Sequence, residues 1–292
     1  MIDITFKRHA KVILVGEHAV VRGYPGIVAP QHHLNILCHY QEDQPTTIIG
    51  SCHKTQWVLD QHFKQIWHII QTYFNQPTRP FKGRLHIENH IPIALGWGFS
   101  AAFSVVMAEL GCYLFTKNVT PEKIYTLAKQ LEDHFHGKSS GIDIAGVIHT
   151  DPIYFRHHHP IELIQIDFDG YFYLCHSHEM SPTKQCVQAV ENMHAKHLDE
   201  KMALATALVR SGLTQQGPEG LVMTEEGIQI ANQCFYDWQL MTPELISLEK
   251  TMKEQGAIAT KVTGAGGGGL MLGLWEKPLK EIPKNWVPLL TH

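Results

Sequence analysis

Residues 11–30, KVILVGEHAVVRGYPGIVAP, decide how this chain is read. Lys11 precedes the apolar run 12–15, which reads as a strand ending in Gly16, Glu17 and His18. Gly23 and Pro25 mark a turn, and residues 26–29 form a second apolar run. Lysine at this point admits two readings. It is a solvated residue at the start of a strand, or a cation that keeps Asp143 ionised and offsets charge on a transferring phosphoryl group.

Outward from this stretch, residues 34–40 and 46–49 continue the strand pattern. Residues 57–74 place Leu59, Phe63, Ile66, Ile70 and Phe74 at helical spacing, with Pro77 and Pro80 as stops. Residues 84–91 read as a strand, followed by a glycine-bearing turn and the apolar helix 101–115. Thr120 as N-cap and Pro121 at the first helical position predict a helix that carries Glu132 and His136 on one face. Beyond Asp143, a strand pattern over 161–177 is followed by helices near 184–197, 198–211 and 225–235. Strands at 257–262 and 270–275 close the chain. These elements predict a mixed α/β protein of two domains, 1–168 and 169–292.

Two glycine-rich turns stand out. In KVTGAGGGG, residues 261–269, five glycines fall in the six positions after Thr263. Such a loop suits close approach of backbone amides to an anion such as phosphate, the alternative being a flexible hairpin. In PIALGWGFSAA, residues 92–102, Gly96 and Gly98 precede Ser100 and a helix start, where unpaired amides favour phosphate and a hydroxyl can reach Mg²⁺. No Gly-Lys-Ser/Thr follows these glycines and the third glycine of a dinucleotide fingerprint is missing, which disfavours both familiar nucleotide loops. EDHFHGKSSGID, residues 132–143, sets Glu132 and Asp143 on either side of a glycine-bearing bend. One carboxylate would hold metal and the other would contact a nucleophile.

The net charge of −4 and a pI near 6.6 exclude a basic field for nucleic acid or an anionic membrane, so phosphate recognition must be local. The apolar run 12–15 is too short for a signal core or a span, and a cytosolic location is expected. The six cysteines are scattered without a C-x-x-C pair, as for reduced, partly buried thiols. The histidine runs 157–159 and 32–33 sit beside Pro160 and Pro30 and read as solvated turn residues rather than a zinc site.

Taken in order, these segments resemble the superfamily of galactokinase, homoserine kinase, mevalonate kinase and phosphomevalonate kinase. GEHAVVRGYPGIVAP is similar to the mevalonate kinase form of the first motif, and HGKSSGID to that family's HGxPSGxD. The resemblance implies a two-domain α/β fold, an N-terminal domain like ribosomal protein S5 domain 2 and a C-terminal ferredoxin-like domain. It implies ATP and Mg²⁺ as cofactors, mevalonate as the small-molecule acceptor, and a homodimer as an arrangement common among relatives. By position, Lys11 and Asp143 match the catalytic pair, Ser100 and Glu132 the Mg²⁺ ligands, and Glu17, His18 and Thr183 the substrate contacts. Pro92, Leu95, Gly96, Trp97, Gly98, Phe99, Ser100, Ala101 and Ala102 match the ATP phosphate loop. Gly264, Gly266 and Gly267 match the third motif, with Gly264 and Ala265 on its substrate side.

The chain departs from the family at several places. His9 and Ala10 replace Pro-Gly, and Ala94, Trp97 and Phe99 replace Gly, Leu and Ser, which crowds the phosphate loop. Ser139 replaces proline, and His149 and Thr150 interrupt a glycine pair. Beside mevalonate phosphorylation, two alternatives are therefore a kinase for another small alcohol and a noncatalytic relative.

Overall fold

The computed structural model describes residues 2–42, 44–137 and 139–290. It is a mixed α/β fold that divides into two compact units interleaved in sequence. One comprises the chain up to Ala10, His32–Ile93 and Gly98–Ile148; the other comprises Lys11–Gln31, Ala94–Trp97 and the chain from His149 onward. Two long strands, β1 (Asp3–Val15) and β2 (Gly26–Gln41), pair with each other and give opposite ends to the two units.

In the first unit, β2 pairs antiparallel with β4 (Arg84–Asn89), which pairs in parallel with β3 (Thr47–Gly50). Helices α1 (His53–Tyr73), α2 (Phe99–Thr116), α3 (Pro121–His136) and α4 (Ile142–Ile148) complete it. Helix α2 is long and apolar enough to cross a membrane, but most of it is buried within the protein. Its single acidic group, Glu109, is bound bidentately by Arg8 of β1, so a buried carboxylate is not left alone. At Gly111 a Cβ would stand 2.8 Å from Ile70 Cγ2, so glycine lets α1 and α2 approach closely.

In the second unit, β5 (Ile153–Phe155) joins β2 and pairs with β6 (Glu162–Leu163). A separate antiparallel sheet has the order β10 (Trp286–Leu289), β7 (Tyr171–His176), β9 (Leu270–Trp275), β8 (Ala259–Thr263). Around it lie α5 (Thr183–Met193), α6 (Lys196–Leu213), α7 (Gly217–Asp237) and α8 (Pro243–Glu254). Helices α6 and α7 touch through glycine, since a Cβ on Gly227 would lie 2.8 Å from the Ala205 carbonyl oxygen.

Several expectations change. Residues 26–29 and 34–40 are one continuous strand, and His32 and His33 lie within it rather than in a turn. Pro30 is tolerated because it falls between residues 26–28, which pair with β5, and residues 36–41, which pair with β4. Lys11 is not at a strand start but inside β1, and it is buried. The strand pattern over 161–177 breaks because the Asp167 amide bonds the Leu213 carbonyl at 2.9 Å instead of a neighbouring strand. Helix α8 was not anticipated, although Thr242-Pro243 repeats the signal of Thr120-Pro121 and Thr242 Oγ1 accepts the Leu245 amide at 3.3 Å. The 157–159 histidines do occupy a turn, and the six cysteines are unpaired with Cys52 alone exposed.

Thr120 Oγ1 accepts the Lys123 amide at 3.4 Å and caps the helix that carries Glu132. Thr120→Ala should lower unfolding free energy by about 1 kcal/mol, read as a fall in urea midpoint with an unchanged m-value.

Candidate active site

The second unit holds the charged residues of the first motif. Strand β1 ends at Val15, and the backbone then turns at Gly16 with φ of 106°. A Cβ there would stand 2.4 Å from Gly26 Cα, so only glycine fits both the dihedral and the space. The turn places Glu17 and His18 in the protein interior.

Glu17 forms an ion pair with Lys261 of β8, and the two side chains are 1% and 0% exposed. Burial pushes the Glu17 carboxyl up from its ordinary range, opposed by the Lys261 ammonium and, to a smaller extent, by the Glu17 and Gly264 amides. Burial likewise pushes Lys261 down, against the attraction of Glu17. His18 Nε2 lies 2.9 Å from the Ala265 carbonyl oxygen, to which it donates, and its ring packs edge-on to Trp238 and Phe235. Burial lowers its pKa to about 4, so the imidazole is neutral and carries its proton on Nε2.

The turn that follows, a short 3₁₀ segment Ala19–Arg22, is tied down by Arg22, which binds Asp199 of α6 through both guanidinium and carboxylate edges. Lys11 is held in β1, and its amide donates to the Trp97 carbonyl at 3.2 Å, fixing the 94–97 segment to the strand. Pro92 and Leu95 are half-buried, and Gly96 adopts φ of 88° with its Cα facing Leu270.

The glycine-rich hairpin joins β8 to β9, and Gly264, Gly266, Gly267, Gly268 and Gly269 all take positive φ. It is braced rather than loose. Thr263 Oγ1 donates to the Ile13 carbonyl at 2.7 Å, and Ser181 Oγ to the Gly266 carbonyl at 2.6 Å. The Gly267 and Gly269 amides are taken by the Leu240 and Glu179 carbonyls at 2.9 and 3.0 Å. Thr183 begins α5, and its amide donates to Ser181, which itself holds this hairpin.

In the first unit, Gly98 caps α2 in the left-handed region, so the helix begins at Phe99, two residues earlier than expected. Phe99 is buried and stacks on Phe103 in the core. Trp97, in the second unit, is buried as well. Ser100 in the first turn donates to Glu132 Oε1 at 2.9 Å. Ser104, one turn on, donates to Glu132 Oε2 at 3.3 Å, and His136 Nε2 lies 2.9 Å from Ser100 Oγ and 3.3 Å from Glu132 Oε1. Glu132 and His136 thus share one face of α3 as their spacing predicts. Ala101 and Ala102 follow in the buried helix, and Asp143 lies half-buried in the first turn of α4. The bend before it is set by Asp133, which accepts the amide and hydroxyl of Ser139 at 2.7 Å each. Lys138 lies outside the described residues.

The structure therefore gathers Ser100 and Glu132 in one unit, and Glu17, His18 and Ala265 in the other. Sequence reasoning missed Lys261, Arg22, Asp199, Ser104 and Ser181. Lys261 gave the only signal, a charge inside an otherwise uncharged strand next to a glycine-rich loop.

Residues 61–151 match the family described as GHMP kinases N terminal domain. The chain is 26% identical to the mevalonate kinase of Archaeoglobus fulgidus over 92% of either chain. In fold it is similar to the crystal structure of L. major mevalonate kinase in complex with R-mevalonate, with a TM-score of 0.75 and 21% identity over 94% of this chain and 88% of that one. It is similar also to Streptococcus pneumoniae phosphomevalonate kinase in complex with phosphomevalonate and AMPPNP, with a TM-score of 0.77 and 15% identity over 94% and 93%.

Because the folded His18 pKa lies below that of the free imidazole, the unfolded chain binds the extra proton. Stability is full above 6.5 and falls as pH drops towards about 4. The loss should reach roughly 3 kcal/mol in urea unfolding, and His18→Gln should remove this share of the pH dependence.

Proposed function

We propose, on the premise that residues 61–151 form a GHMP kinases N-terminal domain, that this chain transfers the γ-phosphoryl group of ATP to the primary hydroxyl of mevalonate, giving mevalonate 5-phosphate. Similarity to mevalonate kinases over nine tenths of both chains supports the acceptor. The observation that carries the chemistry is the meeting of Ser100 and Glu132 at the first turn of α2, although 32 residues separate them.

That first turn offers amide groups without helical partners and the positive end of the helix dipole, which suit a polyphosphate. Gly96, Gly98, Ser100, Ala101 and Ala102, with the flanking Pro92, Leu95, Trp97 and Phe99, are assigned to it. The buried, core-facing Trp97 and Phe99 side chains leave the loop's backbone to serve this role. A Ser hydroxyl and a carboxylate 2.9 Å apart are hard oxygen donors, and they fit Mg²⁺, which prefers oxygen and keeps several waters. When bound, Mg²⁺ neutralises charge on the β- and γ-phosphates. The glycine hairpin is assigned the amides of Ala265 and Gly266, with Gly264 and Gly267 shaping the loop because the Gly264 amide faces the Glu17 carboxylate and the Gly267 amide is spent on Leu240.

Asp143 is assigned the proton of the acceptor hydroxyl. A carboxylate is a weak base for an alcohol, so it orients the hydroxyl and receives the proton late, as the phosphoryl group moves. Lys11 is assigned to offset charge on that group. Glu17 accepts from an acceptor hydroxyl, neutral His18 shapes the wall beside it, and Thr183 adds a hydroxyl. In functional terms residues 1–168 supply the phosphate loop and metal donors, and residues 169–292 the glycine hairpin.

Purified protein with Mg-ATP and a panel of mevalonate, phosphomevalonate, homoserine and galactose should form ADP and a phosphorylated product with mevalonate alone. Turnover of a different acceptor only would sink the substrate assignment. Asp143→Asn should lower kcat by about 10²–10⁴-fold while ATP still binds in calorimetry. Glu132→Gln should raise the Mg²⁺ concentration for half-maximal rate by about tenfold or more, measured at saturating ATP.

A further inference from the structure

A carboxylate and an ammonium withdrawn completely from water bring little net stability, because the desolvation cost offsets their attraction. The Glu17–Lys261 pair is such a case, and its members come from sites 244 residues apart. Lys261 is nevertheless placed with care. It shares a face of β8 with Thr263, whose hydroxyl fixes that strand to the Ile13 carbonyl of β1 at 2.7 Å. Its ammonium lies 5.7 Å from the centre of the Phe235 ring, the ring on which His18 also packs.

The pairing is one-sided. Glu17 Oε1 takes the lysine, whereas Oε2 is buried and receives no hydrogen bond of good geometry among the described residues, with only the Glu17 and Gly264 amides close enough to the carboxylate to influence it. A buried carboxylate oxygen without a donor carries a substantial penalty unless a ligand supplies one. Neutral His18 stands next in sequence and cannot provide a second cation.

We propose that Lys261 is a positioning residue that anchors Glu17 by one oxygen, so that the other accepts a hydrogen bond from a hydroxyl of the acceptor. The inference rests on the reading of this chain as a small-alcohol kinase and adds to it the residue that makes Glu17 competent. Without the ammonium, the buried Glu17 takes up a proton and presents a donor where the acceptor hydroxyl also donates. The other ionisable groups nearby are the Cys234 thiol of α7, held protonated by burial, and the Arg22–Asp199 pair beyond His18.

The test is a double-mutant cycle on the full chain: wild type, Lys261→Met, Glu17→Gln and the double variant. It reads acceptor KM, ATP KM, kcat and urea midpoint, with whichever panel alcohol the wild type turns over. Lys261→Met should raise acceptor KM by about tenfold or more and leave ATP KM within about twofold. Its acceptor KM should fall again as pH rises and Glu17 ionises, whereas Glu17→Gln shows no such recovery. The double variant should bind the acceptor no worse than Glu17→Gln, while regaining the midpoint that Glu17→Gln loses by stranding the lysine. Unchanged acceptor KM in Lys261→Met, a loss of midpoint alone, or effects that multiply in the double variant would overturn the positioning role. If Lys261→Met does not fold, the double variant against Glu17→Gln and the charge-retaining Lys261→Arg decide the same question. Use of an alcohol other than mevalonate overturns the substrate reading and leaves the cycle intact; no turnover with any alcohol overturns both.

Discussion

Charge buried in the second unit has to be matched within a few ångströms, and much of that unit's architecture follows from this requirement. Glu17 and Lys261 are both removed from water, and neither is tolerable without the other. To meet, the turn after β1 must deliver Glu17 to the inner face of β8. Gly16 permits this because the backbone of residues 25–26 comes closer to it than any side chain would allow. The same pressure explains the Arg22–Asp199 pair, which anchors the next turn to α6, and the neutral state of His18. Around them, the hydroxyls of Thr263 and Ser181 satisfy carbonyls that the glycine hairpin and β1 would otherwise leave exposed to an apolar interior.

The first unit solves a different problem with the same chemistry. Helix α2 is so apolar that most of it is drawn into the core, whereas its start, with Gly98 and Ser100 half-buried, keeps amides without helical partners. Ser100, Ser104 and Glu132 form a polar group against an otherwise apolar helix, with Glu132 1% exposed. On the proposed reading, the favourable field for a polyphosphate would come from a helix terminus and backbone amides rather than from a basic surface. The aromatic replacements at 97 and 99 fit the same logic, because both side chains are absorbed into packing and the backbone keeps the loop's shape.

How much of this was legible in the sequence differs from element to element. Helix α3 was readable to its cap because Thr-Pro and a helical apolar stripe act locally, over a few residues. The strand character of β8 and β9 and the loop between them were readable from apolar runs and glycines. The continuity of β2 through Pro30 was not, since it depends on which strands lie beside it at each position. Helix α8 carried its own Thr-Pro signal and was overlooked because its apolar face is sparse.

The sequence by itself determined most of the element types and the glycine-bearing turns, and it nominated the candidate chemical groups: Lys11, Glu17, His18, Ser100, Glu132, Asp143 and the 264–269 loop. Each is written in local pattern, and backbone propensity and turn chemistry act over short separations. Only the tertiary structure decided the partners, such as Lys261 for Glu17, the Ala265 carbonyl for His18, and Ser100 with His136 for Glu132. Partnership depends on burial and on contacts between residues far apart in sequence. A lysine in an otherwise uncharged strand reads the same whether it reaches solvent or a carboxylate, and only the packed interior forces it to the carboxylate.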